Sequence, residues 1–270
     1  MNRLERFVAI VGLPRSGTTV LTALLDAHPA IALYFEPFNS SKQARVGLPQ
    51  GLDDFCRIME SHFKIPLPPG TRATGFKETT TLAAALDWTT KTLACVAAEI
   101  PTQVVWIYRN PMHCLLSKVE GARTWWGYPN ARFDETTLAS FLHETQPQLV
   151  ALENLVLRYQ GTIVRYEALV EDPANVLTAL LPRLGETFDP AQLNYHEQPR
   201  LAEKVMGDPS LIQNPEPVRP TRIAKRAGEE ATHRELIDDV LGRPAFDAIR
   251  REFERLDALP ALSGPGIDVS

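Results

Sequence analysis

The octapeptide Gly12-Leu13-Pro14-Arg15-Ser16-Gly17-Thr18-Thr19 carries the sharpest chemical signal in the sequence. It follows an apolar run and opens a helix-like pattern. Glycines let the backbone approach a ligand closely, and successive N–H groups at a helix N-terminus face an anion. The spacing is that of a phosphate-cradling P-loop, which makes Pro14, Arg15, Ser16, Gly17, Thr18 and Thr19 candidate contacts. Thr18 stands where nucleoside triphosphatases and kinases carry the loop lysine they need on the β- and γ-phosphates. Arg15, inside the loop, supplies a cation instead. The plainer alternative is a strand–helix turn without a ligand.

Other residues have types suited to the same chemistry. Arg109 closes the run Val104-Val105-Trp106-Ile107-Tyr108, the carboxyl end of a parallel strand, where open α/β sheets bind ligands. Guanidinium matches phosphate bidentately, although a solvated or helix-capping arginine is the plainer role. Glu36, in Tyr34-Phe35-Glu36-Pro37-Phe38, has apolar neighbours that would desolvate it and raise its pKa towards neutrality, as suits a general base. A surface glutamate in a proline turn is the alternative. His28 is a rival base, but its place before Pro29 reads as a helix end. Trp125-Trp126-Gly127-Tyr128-Pro129 would wall or lid a pocket, or cap a satellite cluster.

Three β-branched runs must position these residues: Phe7–Val11, Val104–Tyr108 and Thr162–Tyr166. Each precedes a turn signal and a helical pattern, which predicts buried parallel strands in an α/β layer architecture. The first helix starts near Thr18, buries Val20, Leu21, Leu24 and Leu25, and stops near His28-Pro29. The second has Asn110 as N-cap and Pro111 at its first position, with Leu115, Leu116 and Val119 buried. The third starts at Asp172-Pro173. Another runs from Leu82 to Ala98, residues 40–72 read as an insertion over the sheet, and 197–228 read as a long charged loop. A final helix spans His233 to Leu256.

Composition bounds the rest. The chain has 270 residues, 28 Lys+Arg against 33 Asp+Glu, and a net charge of −5. At 44 % hydrophobic it is globular rather than disordered, and one domain over residues 1–270 is expected. The acidic balance argues against general nucleic-acid binding. No apolar run approaches a membrane span, and Phe7–Leu13 leads into Pro14-Arg15 rather than a signal cleavage site. Three cysteines without metal-like spacing, Cys56, Cys95 and Cys114, suit a reducing, cytoplasmic setting.

Pro14-Arg15-Ser16-Gly17-Thr18-Thr19, followed by Leu24-Leu25-Asp26-Ala27-His28-Pro29, resembles the 5′-phosphosulfate loop of the sulfotransferases that use 3′-phosphoadenosine 5′-phosphosulfate (PAPS). The loop arginine is similar to the Golgi-type tyrosylprotein and carbohydrate branch and its bacterial relatives. Arg109-Asn110-Pro111 with Ser117 eight residues on resembles the family's second signature, whose Arg and Ser bind the 3′-phosphate. Tyr166-Glu167-Ala168-Leu169, then Asp172-Pro173, resembles the segment whose tyrosine meets adenine; a core tyrosine is the plainer role.

The resemblance spans residues 8 to about 185 and implies a P-loop-type parallel sheet with insertions covering an acceptor site. It implies Glu36 as base, Lys77 near the sulfuryl group or acceptor, and a late basic residue, Arg222 of the Arg219, Arg222, Lys225, Arg226 cluster, closing on the cofactor. Plainer roles are a surface Lys77 paired with Glu78 and a solvated basic loop. In the cytosolic branch a histidine is base; His62 or His113 would have to serve, and neither lies in that motif. The implied reaction moves the PAPS sulfuryl group to a hydroxyl of a small metabolite or glycan without a metal. An Ala- and Arg-rich composition looks bacterial. Rival readings are a P-loop kinase or NTPase and a non-catalytic nucleotide-binding protein.

Overall fold

Residues 4–38, 47–64, 66–80, 83–197 and 216–263 are described by this computed structural model. Five parallel strands form its centre: β1 (Arg6–Gly12), β2 (Ile31–Phe35), β3 (Ala73–Thr79), β4 (Thr102–Tyr108) and β5 (Thr162–Arg165). A two-residue edge strand, β6 (Leu262–Ser263), pairs antiparallel to β5. The order β2-β3-β1-β4-β5-β6 makes the sheet mixed rather than wholly parallel.

Continuous apolar sequence is what a strand covered on both faces requires. Phe7, Ala9, Val11, Tyr34, Phe76, Trp106 and Tyr108 face one layer, built by α2 (Leu52–Phe63), α3 (Ala83–Val96), α4 (Pro111–Thr124) and α5 (Glu135–Arg158). Val8, Ile10, Leu33, Val105, Ile107 and Val164 face the other, where α1 (Thr18–Asp26), α6 (Tyr166–Glu171) and α7 (Pro173–Leu180) pack. Close approach of β3 to β1 depends on Gly75: a Cβ there would stand 1.8 Å from the Val8 carbonyl oxygen.

The Asn110 side chain caps α4 by accepting from the Met112 and His113 amides, and Asp172 caps α7 by accepting from Asn175. Several expectations need correction. Strands β2 and β3 join the three read from the sequence. The insertion at 40–72 contains the amphipathic helix α2, which buries Leu52, Phe55 and Met59; residues 39–46 and 65 lie outside the described set. The charged stretch at 197–228 is partly α8 (Thr221–Thr232), and 198–215 lie outside the described residues, as does Leu82. The final helix is two, α9 (Arg234–Leu241) and α10 (Asp247–Asp257), broken at Gly242-Arg243-Pro244. Tyr166 opens α6 instead of ending a strand. No helix among the described residues is long and apolar enough to cross a membrane.

Candidate functional site

The carboxyl ends of β1, β3, β4 and β5 open into a cleft of about 770 Å³. Pro14, Arg15, Gly17, Thr18 and Thr19 form its floor. Ser16 is buried just beneath, its amide donating to the Leu13 carbonyl at 3.1 Å to close the turn. Gly17 caps α1 at φ 103° and supplies no side-chain cap to its first turn. The Tyr166 ring presses on this turn: a Cβ at Gly17 would stand 2.4 Å from its Cδ2. Only glycine satisfies both that conformation and that contact.

Around this floor lies a cationic cluster. Arg15 has φ 71°, and its Nε donates to Ser117 Oγ at 3.1 Å. Arg109 Nη1 donates to the Arg15 carbonyl oxygen at 3.0 Å, and its guanidinium lies 4.3 Å from the centre of the Tyr166 ring. Arg109 is buried, and its Nε has no hydrogen-bond partner among the described residues; the same holds for Ser16 Oγ. A buried donor left without an acceptor costs free energy, on the order of 1–3 kcal/mol. An anion in the cleft, which Arg109 lines, would satisfy the Arg109 donor. The indole of Trp126 stands 5.9 Å from the Arg15 guanidinium.

The opposite wall has a different character. Lys77 is 1 % exposed, donates to Thr19 Oγ1 at 3.2 Å and forms an ion pair with Glu36. This overturns the plainer reading of a surface lysine paired with Glu78. Glu36 meets an ammonium rather than the purely apolar surroundings expected of it. Its φ of 48° is left-handed, a conformation costing a non-glycine residue about 1–3 kcal/mol. The carboxyl that burial does shift is Glu78. Burial first, then the Glu36 charge, pushes it up to about 8 against the opposing pull of the Phe38 and Thr79 amides and Lys77.

Helix α8 supplies the third wall with Arg222, Lys225 and Arg226. Lys225 donates to Glu120 of α4 at 2.5 Å, and Arg226 pairs with both Glu120 and Glu229. Burial works against ionised Glu120, but those two cations hold it below the usual range. Arg222 is exposed on the cleft side and makes no ion pair among the described residues. The histidines lie elsewhere. His28 Nδ1 accepts from Ala30 N at 3.1 Å and its Nε2 lies 3.1 Å from the Thr187 carbonyl oxygen. His113 Nε2 sits 3.0 Å from Glu230, and His62 lies on α2 against Phe63. None lines the cleft.

Pro14, Arg15, Gly17, Thr18, Thr19, Glu36, Lys77, Arg109, Ser117, Tyr166 and Arg222 therefore line one cavity, while Ser16 and the candidate histidines do not. Lys118, Glu120 and Thr124 also line it, unforeseen, as does Tyr195, whose hydroxyl donates to the Glu216 carbonyl. The signal for Glu120 and Thr124 was helical spacing from Ser117, three and seven positions on; Lys118, one position on, carried no such signal. Among the described residues no group of three or more His, Cys, Asp or Glu side chains is placed to hold a metal ion.

The family model described as "Sulfotransferase family" matches residues 8–84 and 88–190, two-thirds of the chain. Among solved structures, the sulfotransferase domain of the Synechococcus PCC 7002 olefin synthase is similar at TM-score 0.55 and 21 % identity, over 84 % of this chain and 89 % of that one. A sulfotransferase domain from the curacin biosynthetic pathway reaches 0.55 at 18 %, over 83 % and 91 %. Mouse sulfotransferase SULT7A1, complexed with PAP, reaches 0.52 at 15 %, over 94 % and 90 %. These likenesses show the α/β fold. No curated protein matches.

Proposed function

The chain belongs to the sulfotransferase family, and from that premise we propose that it transfers the sulfuryl group of PAPS to a hydroxyl of a small metabolite or glycan. The carrying observation is the buried, orphaned donor Arg109 Nε in a cleft whose lining also holds the Lys77–Glu36 pair. A donor-rich floor facing a paired lysine and carboxylate fits an anionic nucleotide on one side and proton transfer on the other. The mouse structural neighbour complexed with PAP supports the same nucleotide.

On this reading the loop N–H groups, Arg15 and Thr19 hold the 5′-phosphosulfate. Arg109 and Ser117 hold the 3′-phosphate, Tyr166 meets the adenine, and Arg222 closes from α8. When bound, PAPS supplies an activated sulfuryl group with a phosphate as leaving group. Glu36 takes the acceptor's proton on its carboxylate. Lys77, ion-paired with that carboxylate, orients it and brings positive potential to the transfer point. Trp125 and Trp126 shape the acceptor side. The arginine in the loop supports a reading nearest the Golgi-type branch and its bacterial relatives. One catalytic unit over residues 1–270, in a cytoplasmic setting that suits three free cysteines, completes the reading.

A kinase or NTPase reading is not favoured, because Thr18 occupies the lysine position of such loops. Thermal shift with adenosine 3′,5′-bisphosphate, adenosine 5′-monophosphate and ATP tests the assignment, since stabilisation scales with ligand occupancy. The bisphosphate should stabilise most. Preference for ATP would overturn the reading. Sulfate transfer against an acceptor panel separates an enzyme from a protein that only binds the nucleotide.

A further inference from the structure

One buried carboxylate beside the cleft takes no part in the proposed chemistry. Glu78 follows Lys77 in β3, so its side chain leaves the strand on the opposite face. It is 3 % exposed. Its Oε2 accepts from the Phe38 amide at 2.9 Å and its Oε1 from the Thr79 amide at 3.0 Å. Phe38 lies two residues after Glu36, and Thr79 two residues after Lys77. One carboxylate thus ties together the two short segments that carry the paired residues.

The path of the chain explains why a tie is needed. Glu36 N donates to the Lys77 carbonyl oxygen at 2.9 Å, which continues the β2–β3 ladder by one bond. The chain then turns at Glu36, with its left-handed φ of 48°, and crosses the end of β3. Phe38 lands on the far face, edge-on to Phe76 with ring centres 5.0 Å apart. Glu36 and Phe38 therefore straddle β3, and Glu78 fastens the Phe38 end. A left-handed glutamate persists only where its surroundings over-determine it.

We propose that Glu78 is a positioning residue that holds the Glu36 turn across the end of β3 and so keeps the Glu36 carboxylate on the Lys77 ammonium. The inference rests on the reading of Glu36 as base. A carboxylate serving stability alone would make the same two hydrogen bonds, so the test must read what stability does not.

A double-variant cycle does this. Turnover of radiolabelled PAPS is measured with whichever member of a sugar and phenol panel, water included, gives the wild type its highest rate. Glu78→Gln should lower kcat on the order of 10- to 100-fold, as a misplaced base does. KM for PAPS and affinity for adenosine 3′,5′-bisphosphate should stay within about twofold. In the Glu36→Gln background, Glu78→Gln should cost almost nothing more, because its effect runs through Glu36. Glu78→Asp, which keeps both carboxyl oxygens but is one methylene too short to span both amides, should fall between wild type and Glu78→Gln.

Wild-type kcat in Glu78→Gln overturns the proposal, and so does an equal loss in both backgrounds. Where Glu78→Gln does not fold, the cycle runs with Glu78→Asp. If neither folds at a temperature where Glu36→Gln is native, Glu78 is purely structural and the proposal fails. Unchanged turnover in Glu36→Gln alone sinks the base assignment instead, which keeps the two failures apart.

Discussion

Arg109 and Lys77 are both buried cations on the same cleft, set in opposite ways. Arg109 meets a carbonyl oxygen and the face of a tyrosine, partners that leave its full charge uncompensated. Lys77 meets a carboxylate. A buried cation without a counter-charge is costly, and it is tolerated where an anion is to arrive. A cation already paired has little left for a second anion but governs the protonation of its partner. On the proposed reading, one wall of the cleft binds the nucleotide and the other moves a proton.

That contrast breaks first on turnover. Glu36→Gln should cut kcat by about 10²- to 10⁴-fold, the usual contribution of a general base, and leave nucleotide affinity nearly intact; unchanged transfer to the true acceptor would remove Glu36 from the chemistry. Arg109→Ala should do the reverse. Loss of a charge-assisted contact worth about 1.5–3 kcal/mol should weaken adenosine 3′,5′-bisphosphate roughly 10- to 150-fold, measured by calorimetry, with adenosine 5′-monophosphate far less affected. Equal losses for both nucleotides would detach Arg109 from the 3′-phosphate.

Smaller effects sharpen the contrast. Gly17→Ala forces a side chain into a left-handed position against Tyr166, so a loss of about 1–3 kcal/mol is expected, read as a lowered Tm and weakened nucleotide binding together. The proton-handling wall should also titrate. Glu78 is raised to about 8, so the folded state holds a proton that the unfolded chain releases near its ordinary carboxyl pKa. The stability this contributes is complete below the unfolded value and is lost as pH rises through about 8. Glu36 and Lys77 are the charges acting on it. The Tm difference between wild type and Glu78→Gln should therefore vary across the neutral range, and a constant difference would show that Glu78 does not titrate there. Least is expected of Lys225→Met: its side chain is 52 % exposed, and such a pair contributes no more than about 1 kcal/mol.

The binding wall was far easier to read from sequence than the proton-handling wall, for a physical reason. β1, β4 and β5 are continuous apolar runs, and the loop, Arg109 and Tyr166 sit directly at their ends, so local pattern placed them. β3 reads Ala73-Thr74-Gly75-Phe76-Lys77-Glu78-Thr79, and its glycine and two buried charges disguise a central strand. β2, Ile31-Ala32-Leu33-Tyr34-Phe35, is a continuous apolar run of the same kind, legible as a strand but read only as the segment that carries Glu36. The Lys77–Glu36 contact joins residues 41 positions apart across that unseen pair of strands. Helix α8 was hidden by its charge. Its buried residue is Arg226, so no apolar stripe marked it.

That same seam has a consequence for the medium in which the protein works. Helix α8 is held to α4 by Arg226 and Lys225 on Glu120, with Ile223 only partly buried beneath it. Lys225 and Glu120 are about half exposed and open to counterions, with a screening length of only about 8 Å at 0.15 M salt, whereas Arg226 is 8 % exposed and is screened much less. Rising ionic strength should therefore weaken the Lys225 contact on this side of the cleft before the buried Arg226 contact.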